Sequence, residues 1–280
     1  MGAEVYADPV LLAMRGDTAT IAIVTQSTDT PGTRVDIDGP IARFTLDRPA
    51  QHNALTAVDV DLFRAQLDEV ERNDAVRVIV VTGSGDTTFC SGASLAQMES
   101  GEMSGAVFET LTNRLSDVRL PTICALNGSV YGGGAEIALC CDFRIGVTGS
   151  RLSVPAARLG VCYPVGGLRR YVERLGLATA SRILLAAEEL DSDEMLRVGF
   201  LTHRVARGDL VAETDALASR LSALAPLAVQ SMKRILTDVA AGTADAKEAA
   251  RLVELCDGSA DLKEGLRAQR EGREPRFEGR

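Results

Sequence analysis

The sequence contains no tryptophan, and aromatic residues make up only 4% of its 280 residues. The core must therefore be filled mainly by Leu, Val, Ile and Ala. Histidine is also scarce, with two residues, and none of the six cysteines lies in a CxxC pair. This shortage of ligands argues against a metal site, and cysteines in apolar runs favour buried free thiols in a reducing cytoplasm.

Basic charge is in short supply as well, because 39 acidic residues outnumber 30 basic ones and give a net charge of −9. Nucleic-acid binding needs a concentrated positive field, so no nucleic-acid partner is expected. No apolar run approaches the roughly 20 residues that span a bilayer. The first residues also lack the basic-then-apolar pattern of a signal peptide. We therefore expect a cytoplasmic protein without membrane contact.

What is present is an alternation of strand and helix patterns, which predicts an α/β fold with sheets covered by helices. Val35–Leu46 alternates around a Gly-Pro turn and predicts a hairpin. Thr56 is expected to cap the helix that follows. Buried strands are predicted over 78–81, 121–126 and 143–147, with helices over 107–115 and 135–141.

The character of the chain changes after Gly166, where helical patterns dominate. A helix is predicted to begin at Pro226, and one or two charged amphipathic helices are predicted over 246–272. We therefore divide the chain into an α/β core over 34–190 and a helical C-terminal region over 191–280. Residues 1–33 lack a clear period and are treated as an appendage, although a strand is conceivable over 20–24.

Gly132–Gly133–Gly134 follows one predicted strand and opens the helix that carries Glu136. Glycines let the backbone approach a ligand closely, and the first amides of a helix have no partner within it. Together with the helix dipole, such amides suit an oxyanion that develops on a carbonyl. The alternative interpretation is that the glycine run is a tight turn between strand and helix with a packing role alone. Nucleotide binding is disfavoured, because the run matches neither GxGxxG nor a P-loop.

Glu136 lies three residues after Gly133, on about the same face of the predicted helix. A carboxylate beside oxyanion donors can act as a general base on a carbon acidified by the carbonyl. The alternative is a glutamate that stabilises the helix N-terminus through the dipole.

A second group of small residues lies at 90–94, after another loop and strand. By itself this segment is typical of an ordinary Ser/Gly loop. Two such segments in one fold favour an oxyanion hole, since such a hole usually takes two donors.

The two segments Phe89–Leu95 and Asn127–Glu136 resemble the signature segments of the crotonase (enoyl-CoA hydratase/isomerase) superfamily. The resemblance continues through Leu46–Pro49, Asn53–Leu55, Leu159–Gly160, Pro164–Gly167, Lys233 and Arg276–Arg280, and so covers about residues 34–280. It implies a crotonase-like spiral of repeated ββα units with a C-terminal helical trimerisation region. It also implies a homotrimer or dimer of trimers, and a substrate held as a coenzyme A thioester without a separate cofactor.

By matching position, the resemblance implies that the amides of Ala93 and Gly133 are the oxyanion donors and that Glu136 is the acid/base. The residues that it implies for CoA and substrate binding are Gln51, His52, Ala54, Ser91, Gly92, Ala93, Ser94, Leu95, Tyr131, Gly132 and Lys233. Of these, Lys233 is a candidate for the CoA phosphates.

One position departs from the family pattern. Hydratases of this family use two glutamates, and the second should follow Pro155 directly, where this chain has Ala156. A methyl group cannot transfer a proton, and losing one member of an acid–base pair typically costs about 10²–10⁴-fold in rate. Cys162 and Tyr163 are candidate proton donors in place of the second glutamate, although a role in core packing explains both residues as well.

The sequence therefore favours an enzyme of the enoyl-CoA hydratase/isomerase type that stabilises a thioester enolate with one acid/base, Glu136. Proton transfer at the α-carbon, decarboxylation and slow hydration all remain open. The alternative is a catalytically silent or weakly active acyl-CoA-binding protein, which is suggested by Ala156 in place of the second glutamate.

Overall fold

The computed structural model describes residues 11–15, 18–22 and 31–280. In this part of the chain the strands are β1 (Leu11–Arg15), β2 (Thr18–Ala22), β3 (Thr33–Asp38), β4 (Ile41–Leu46), β5 (Val78–Gly83), β6 (Thr88–Cys90), β7 (Thr122–Leu126), β8 (Ser129–Tyr131), β9 (Phe143–Val147), β10 (Arg151–Ser153), β11 (Leu190–Asp191) and β12 (His203–Val205).

The helices of the same residues are α1 (Ala57–Arg72), α2 (Leu95–Ser100), α3 (Gly105–Ser116), α4 (Gly133–Cys140), α5 (Val165–Leu184), α6 (Ser192–Arg197), α7 (Leu210–Ser222), α8 (Pro226–Ala240), α9 (Ala246–Asp257) and α10 (Ala260–Glu271). Short 3₁₀ helices cover Pro49–Gln51, Ala156–Leu159 and Arg207–Asp209. No helix among the described residues is both long and apolar enough to cross a membrane.

The larger sheet has the strand order β1-β2-β3-β4-β5-β7-β9-β12. The predicted hairpin is confirmed, because β3 and β4 pair antiparallel with Val35 opposite Phe44. From β4 onward the strands run parallel. Both faces are apolar: Ile79 and Val81 belong to the main core, whereas Val78 and Val80 pack in a second core with α7. Parallel strands covered on both faces explain the unbroken apolar runs.

The smaller sheet has the order β11-β10-β8-β6, in which β6, β8 and β10 are parallel. β6 leads into Ser91–Ser94, and β8 leads into the glycine run at the start of α4. Because the carboxyl ends of parallel strands meet at one edge of a sheet, this topology brings the two small-residue segments together.

The helix beginning at Ala57 confirms the predicted cap. The Thr56 side chain accepts a hydrogen bond from the Asp59 amide, and the Asp59 side chain accepts one from the Thr56 amide. Such a capping box satisfies two amide donors that the helix itself leaves unpaired. The stacked rings of Phe44 and Phe63, 4.9 Å apart, fix α1 against the large sheet.

The large sheet is extended by strands on both sides of the predicted core strands. β2 overlaps the strand considered over 20–24 and pairs with β3, so the segment before residue 33 extends the large sheet; Val24 lies outside the described residues. Within the C-terminal region, β12 adds to the other edge by pairing with β9. β12 was not predicted, because three residues are too few to show the alternation of apolar and polar residues that identifies a strand. The helices expected from Pro226 and over 246–272 are confirmed.

Candidate active site

A cavity of about 500 Å³ opens where β6 and β8 end. Most of the residues selected from the sequence line it, namely Gln51, His52, Ala54, Ser91, Ala93, Ser94, Leu95, Tyr131, Gly132, Gly133, Glu136 and Ala156. Segments that are distant in the sequence thus meet around one space. No cluster of side chains that could hold a metal ion occurs among the described residues.

The Ala93 amide is directed toward this cavity by its pairing with Leu55. The Leu55 N–H donates to the Gly92 carbonyl at 2.8 Å, and the Ser94 N–H donates to the Leu55 carbonyl at 2.8 Å. Because successive amides of an extended segment point in opposite directions, the Ala93 N–H points away from Leu55. Within residues 31–280 no acceptor takes this N–H.

The Gly133 amide is the second free donor. Gly133 is the first residue of α4, so its N–H has no acceptor inside the helix. Gly132 caps the helix with φ 50°, in the left-handed region that favours glycine. None of the described residues accepts a hydrogen bond from the Gly133 amide.

Gly92 does not line the cavity but brings the two donor segments into contact. Its φ of 87° is a glycine conformation, and a methyl group at this position would lie 2.4 Å from the Gly133 nitrogen. Gly133 in turn packs under Phe108, since a methyl group on Gly133 would lie 2.7 Å from that ring. Both contacts require glycine, so the missing side chains set the spacing of the two amides.

The loop over residues 51–54 is held against β6 by a residue that was not selected from the sequence, Asn53. This residue is buried, with φ 55°, and its side-chain amide donates to the carbonyls of Thr88 at 2.9 Å and Phe89 at 3.0 Å. The Ser91 N–H also donates to the His52 carbonyl at 2.9 Å. The sequence offers only a weak signal for this role, because Asn is one of the residue types that tolerate the left-handed region, whereas its burial and its contacts are seen in the structure alone.

Glu136 is only 4% exposed, and its Oε1 accepts a hydrogen bond from Arg170 Nη1 at 2.8 Å. Burial raises the pKa of the Glu136 carboxyl, and the neighbouring Glu109 raises it further. The Thr112 hydroxyl and Arg170 act in the opposite direction. Arg170 was not selected from the sequence, because nothing in its local pattern distinguishes it from Arg169 beside it.

The wall that contains Ala156 is apolar by comparison. It consists of Pro155, Ala156, Leu159, Val161, Cys162, Tyr163 and Pro164, without a carboxylate. The Tyr163 ring packs on Tyr171 with centroids 6.3 Å apart. Burial and the charge of Glu136 raise the pKa of Tyr163, which keeps the phenol neutral. The prediction of a buried thiol is confirmed for Cys90 and wrong for Cys162, which is exposed and lies in the loop that lines the cavity.

Lys233 lies outside this cavity. Its ammonium group donates to the Leu120 carbonyl at 2.7 Å and pairs with Asp142 at 2.7 Å. These contacts fasten α8 to the loops beside β7 and β9. The structure of this chain therefore does not bring Lys233 together with the other selected residues.

Comparison with known proteins agrees with this arrangement. The model of the enoyl-CoA hydratase/isomerase family matches residues 36–280. A short-chain-enoyl-CoA hydratase of Clostridium acetobutylicum is 31% identical over 204 residues, which is 71% of this chain and 78% of that protein. A crotonyl-CoA hydratase of Syntrophomonas wolfei is 30% identical over 248 residues, covering 85% of this chain and 94% of the relative.

The fold agrees as well. The crystal structure of an enoyl-CoA hydratase/carnithine racemase from Magnetospirillum magneticum superimposes with a TM-score of 0.85 at 25% identity, covering 90% of this chain and 97% of that one. The predicted α/β, crotonase-like fold is thereby confirmed. With its two sheets, its paired donor segments and a family model matching residues 36–280, this chain belongs to the enoyl-CoA hydratase/isomerase family, within the crotonase superfamily.

Proposed function

We propose that this protein is an acyl-CoA-processing enzyme of the enoyl-CoA hydratase/isomerase type in which Glu136 is the single acid/base. One observation carries the proposal: a buried carboxylate and two unpaired backbone amides face the same cavity. The relatives named as enoyl-CoA and crotonyl-CoA hydratases support the substrate class.

The two amides explain how a thioester would be activated. Donation from Ala93 and Gly133 to the thioester oxygen stabilises negative charge there, and so makes a proton on the neighbouring carbon more acidic. Glu136 lies on the same helix as Gly133, one turn along, and is positioned to remove or return that proton. The product of the first step is an enolate held by the two amides.

The CoA part of the substrate is expected to follow the loop at 51–54 and the segment at 91–95. Gln51, His52 and Ala54 line one end of the cavity, and Ser94 and Leu95 lie beside them. Gln51, His52 and Ser94 bring polar groups to this end, which suits the polar pantetheine chain. CoA enters as part of the substrate, and we propose no separate cofactor.

Ala156 limits the chemistry at the other side of the enolate. A hydratase that adds water to a conjugated double bond needs a group for the second proton, and Ala156 offers only a methyl group. We therefore favour reactions that need one base: proton transfer at the α-carbon, decarboxylation, or hydration at a low rate.

A second candidate function is a protein that binds acyl-CoA without turnover. The apolar wall around Ala156 favours it, because an oxyanion hole alone can hold a thioester. The raised pKa of Glu136 favours the enzyme, since a carboxyl whose pKa is raised by burial is suited to proton transfer near neutral pH.

We also propose a homotrimer or dimer of trimers. Leu177 on α5 and Leu236 on α8 are 69% and 68% exposed in the single chain, and other apolar residues of these helices are also exposed. Exposed apolar surface of this extent is typical of subunit contacts. Light scattering that gives the mass of a monomer would contradict this part of the proposal.

The test is turnover of the purified protein on a panel of enoyl-CoA, 3-hydroxyacyl-CoA and malonyl-type CoA esters, with calorimetry in parallel. We expect measurable turnover of at least one ester, and a loss of about 10²–10⁴-fold in Glu136→Gln. Unchanged activity in that variant would exclude Glu136 as the acid/base. Tight binding without turnover on any ester would select the silent binding protein.

A further inference from the structure

The surroundings of Glu136 are organised by one polar face of α3. Glu109, Thr112, Asn113 and Ser116 follow the i, i+3, i+4, i+7 spacing of a single helix face, and all of them contact α5. The Glu109 carboxylate accepts a hydrogen bond from the Gly166 amide at 3.0 Å, which fixes the first turn of α5.

The other members of this face hold Arg170. Its Nε donates to Ser116 at 2.9 Å, its Nη1 donates to Thr112 at 3.1 Å, and its Nη2 donates to the side-chain oxygen of Asn113. All three acceptors are neutral, so they orient and solvate the guanidinium without cancelling its charge. Arg170 is 5% exposed, and the carboxylate it pairs with among the described residues is Glu136.

The approach of α5 to Glu136 depends on a missing side chain. A methyl group on Gly167 would lie 3.0 Å from Glu136 Oε2 and 3.1 Å from Oε1. The helix backbone therefore lies directly against the carboxylate. Arg170, one turn further along, reaches Oε1 from this side, whereas Glu136 faces the cavity from the other side.

We propose that Arg170 is a positioning residue, which α3 holds in place so that its hydrogen bond and charge orient the Glu136 carboxylate as the base. This inference rests on the proposed function, because it assigns Arg170 a role through Glu136. Arg170 does not line the cavity, so it would act through Glu136 and not on the substrate directly.

The charges around Glu136 determine the sign of the effect. The groups that interact with the carboxylate are Arg170 and Tyr171 on α5, Glu109 on α3, Cys140 on α4 and Tyr163 in the loop. Arg170 is the cation among them. Removing it leaves burial and Glu109, both of which raise the pKa of Glu136, with the Thr112 hydroxyl acting in the opposite direction. Less of the base form is then present at neutral pH.

The experiment compares the pH dependence of kcat/KM in wild type, Arg170→Met, Arg170→Lys and the control Arg169→Met, with the best ester of the panel. Arg169 is exposed on the same helix and pairs with Glu173. We expect the acidic limb to move upward by about one pH unit or more in Arg170→Met. Arg170→Lys should reverse most of that shift while kcat stays reduced, because lysine lacks the planar fork.

A second measurement uses acetoacetyl-CoA, whose α-carbon ionises to an enolate with its own ultraviolet absorbance. Arg170→Met should still bind this thioester with a Kd within about threefold of wild type, but should form the enolate only at higher pH. An acidic limb and an enolate titration that do not move in Arg170→Met would overturn the inference. Should that variant not fold, a kcat of Arg170→Lys equal to that of wild type would overturn it. Loss of activity in Glu136→Gln would leave the proposed function standing in that case.

Discussion

The two walls of the cavity differ in how firmly they are built. The wall with Glu136 is an α4 helix whose carboxylate is fixed by Arg170, with Thr112 and the first turn of α5 beside it. The wall with Ala156 is a 3₁₀ turn and an exposed loop without a carboxylate. Under the proposed function, this difference predicts that protons are transferred at only one face of a bound enolate, the face next to Glu136.

After Glu136→Gln, the largest effect is expected at Gly92, where the two donor segments touch. In Gly92→Ala the new methyl group would lie 2.4 Å from the Gly133 nitrogen, so the segments must separate and one donor moves out of reach. Losing one such donor costs about 10²–10³-fold in kcat. Steady-state kinetics on the best ester would measure this loss.

The control for this variant is Gly149→Ala. Gly149 has a φ of 84°, close to that of Gly92, but a methyl group there meets nothing within 4 Å. It therefore carries the same backbone strain without the clash. Equal losses of kcat in the two variants would show that strain, rather than donor spacing, limits the enzyme.

The next variant, Ala156→Glu, removes the difference between the walls. A carboxyl group opposite Glu136 would supply the missing proton-transfer partner, and we expect hydration of crotonyl-CoA to rise about tenfold, part of what such a group typically contributes. Ala156→Gln, which has the same shape but cannot transfer a proton, is the matched control. Equal rates in the two variants would mean that the second wall does not limit hydration.

A smaller effect is expected at Tyr163, the neutral phenol on the Ala156 wall. Its pKa is raised by burial, so it can donate a hydrogen bond but cannot act as a base at neutral pH. Tyr163→Phe should lower kcat about two- to tenfold, the worth of one neutral hydrogen bond. Tyr171→Phe is the control, because the buried hydroxyl of Tyr171 has no partner among the described residues. A loss beyond 10²-fold in Tyr163→Phe alone would instead identify Tyr163 as the second acid.

The smallest effect on activity is expected at Lys233, which lies on neither wall. Lys233→Met should leave the KM for acyl-CoA within about twofold, because Lys233 does not line the cavity. The loss of its contacts with Asp142 and Leu120 should lower the free energy of unfolding by about 1–3 kcal/mol. Urea denaturation and steady-state kinetics measure the two quantities. A tenfold rise in KM would place Lys233 against CoA, for example across a subunit contact.

The sequence predicts the motifs that depend on neighbouring residues better than the side chains that hold the site in place from distant parts of the chain. The Thr56 cap, the hairpin turn and the glycine run were predictable because each depends on residues close together in the chain. Arg170 was not, since it reaches Glu136 from 34 residues away and its neighbour Arg169 has the same local pattern. Asn53 was missed for a similar reason, because its three acceptors belong to a different loop and strand.

The contact between Phe108 and Gly133 links two properties that enzymes often vary separately. The Phe108 ring occupies the space above Gly133 and also forms part of the cavity wall that an acyl chain would meet. A smaller residue at this position would widen the acyl site and at the same time admit water to the Gly133 amide. Under the proposed function, substrate range and the strength of the oxyanion interaction are therefore coupled, so a change toward bulkier acyl groups would require a second substitution that keeps water away from the Gly133 amide.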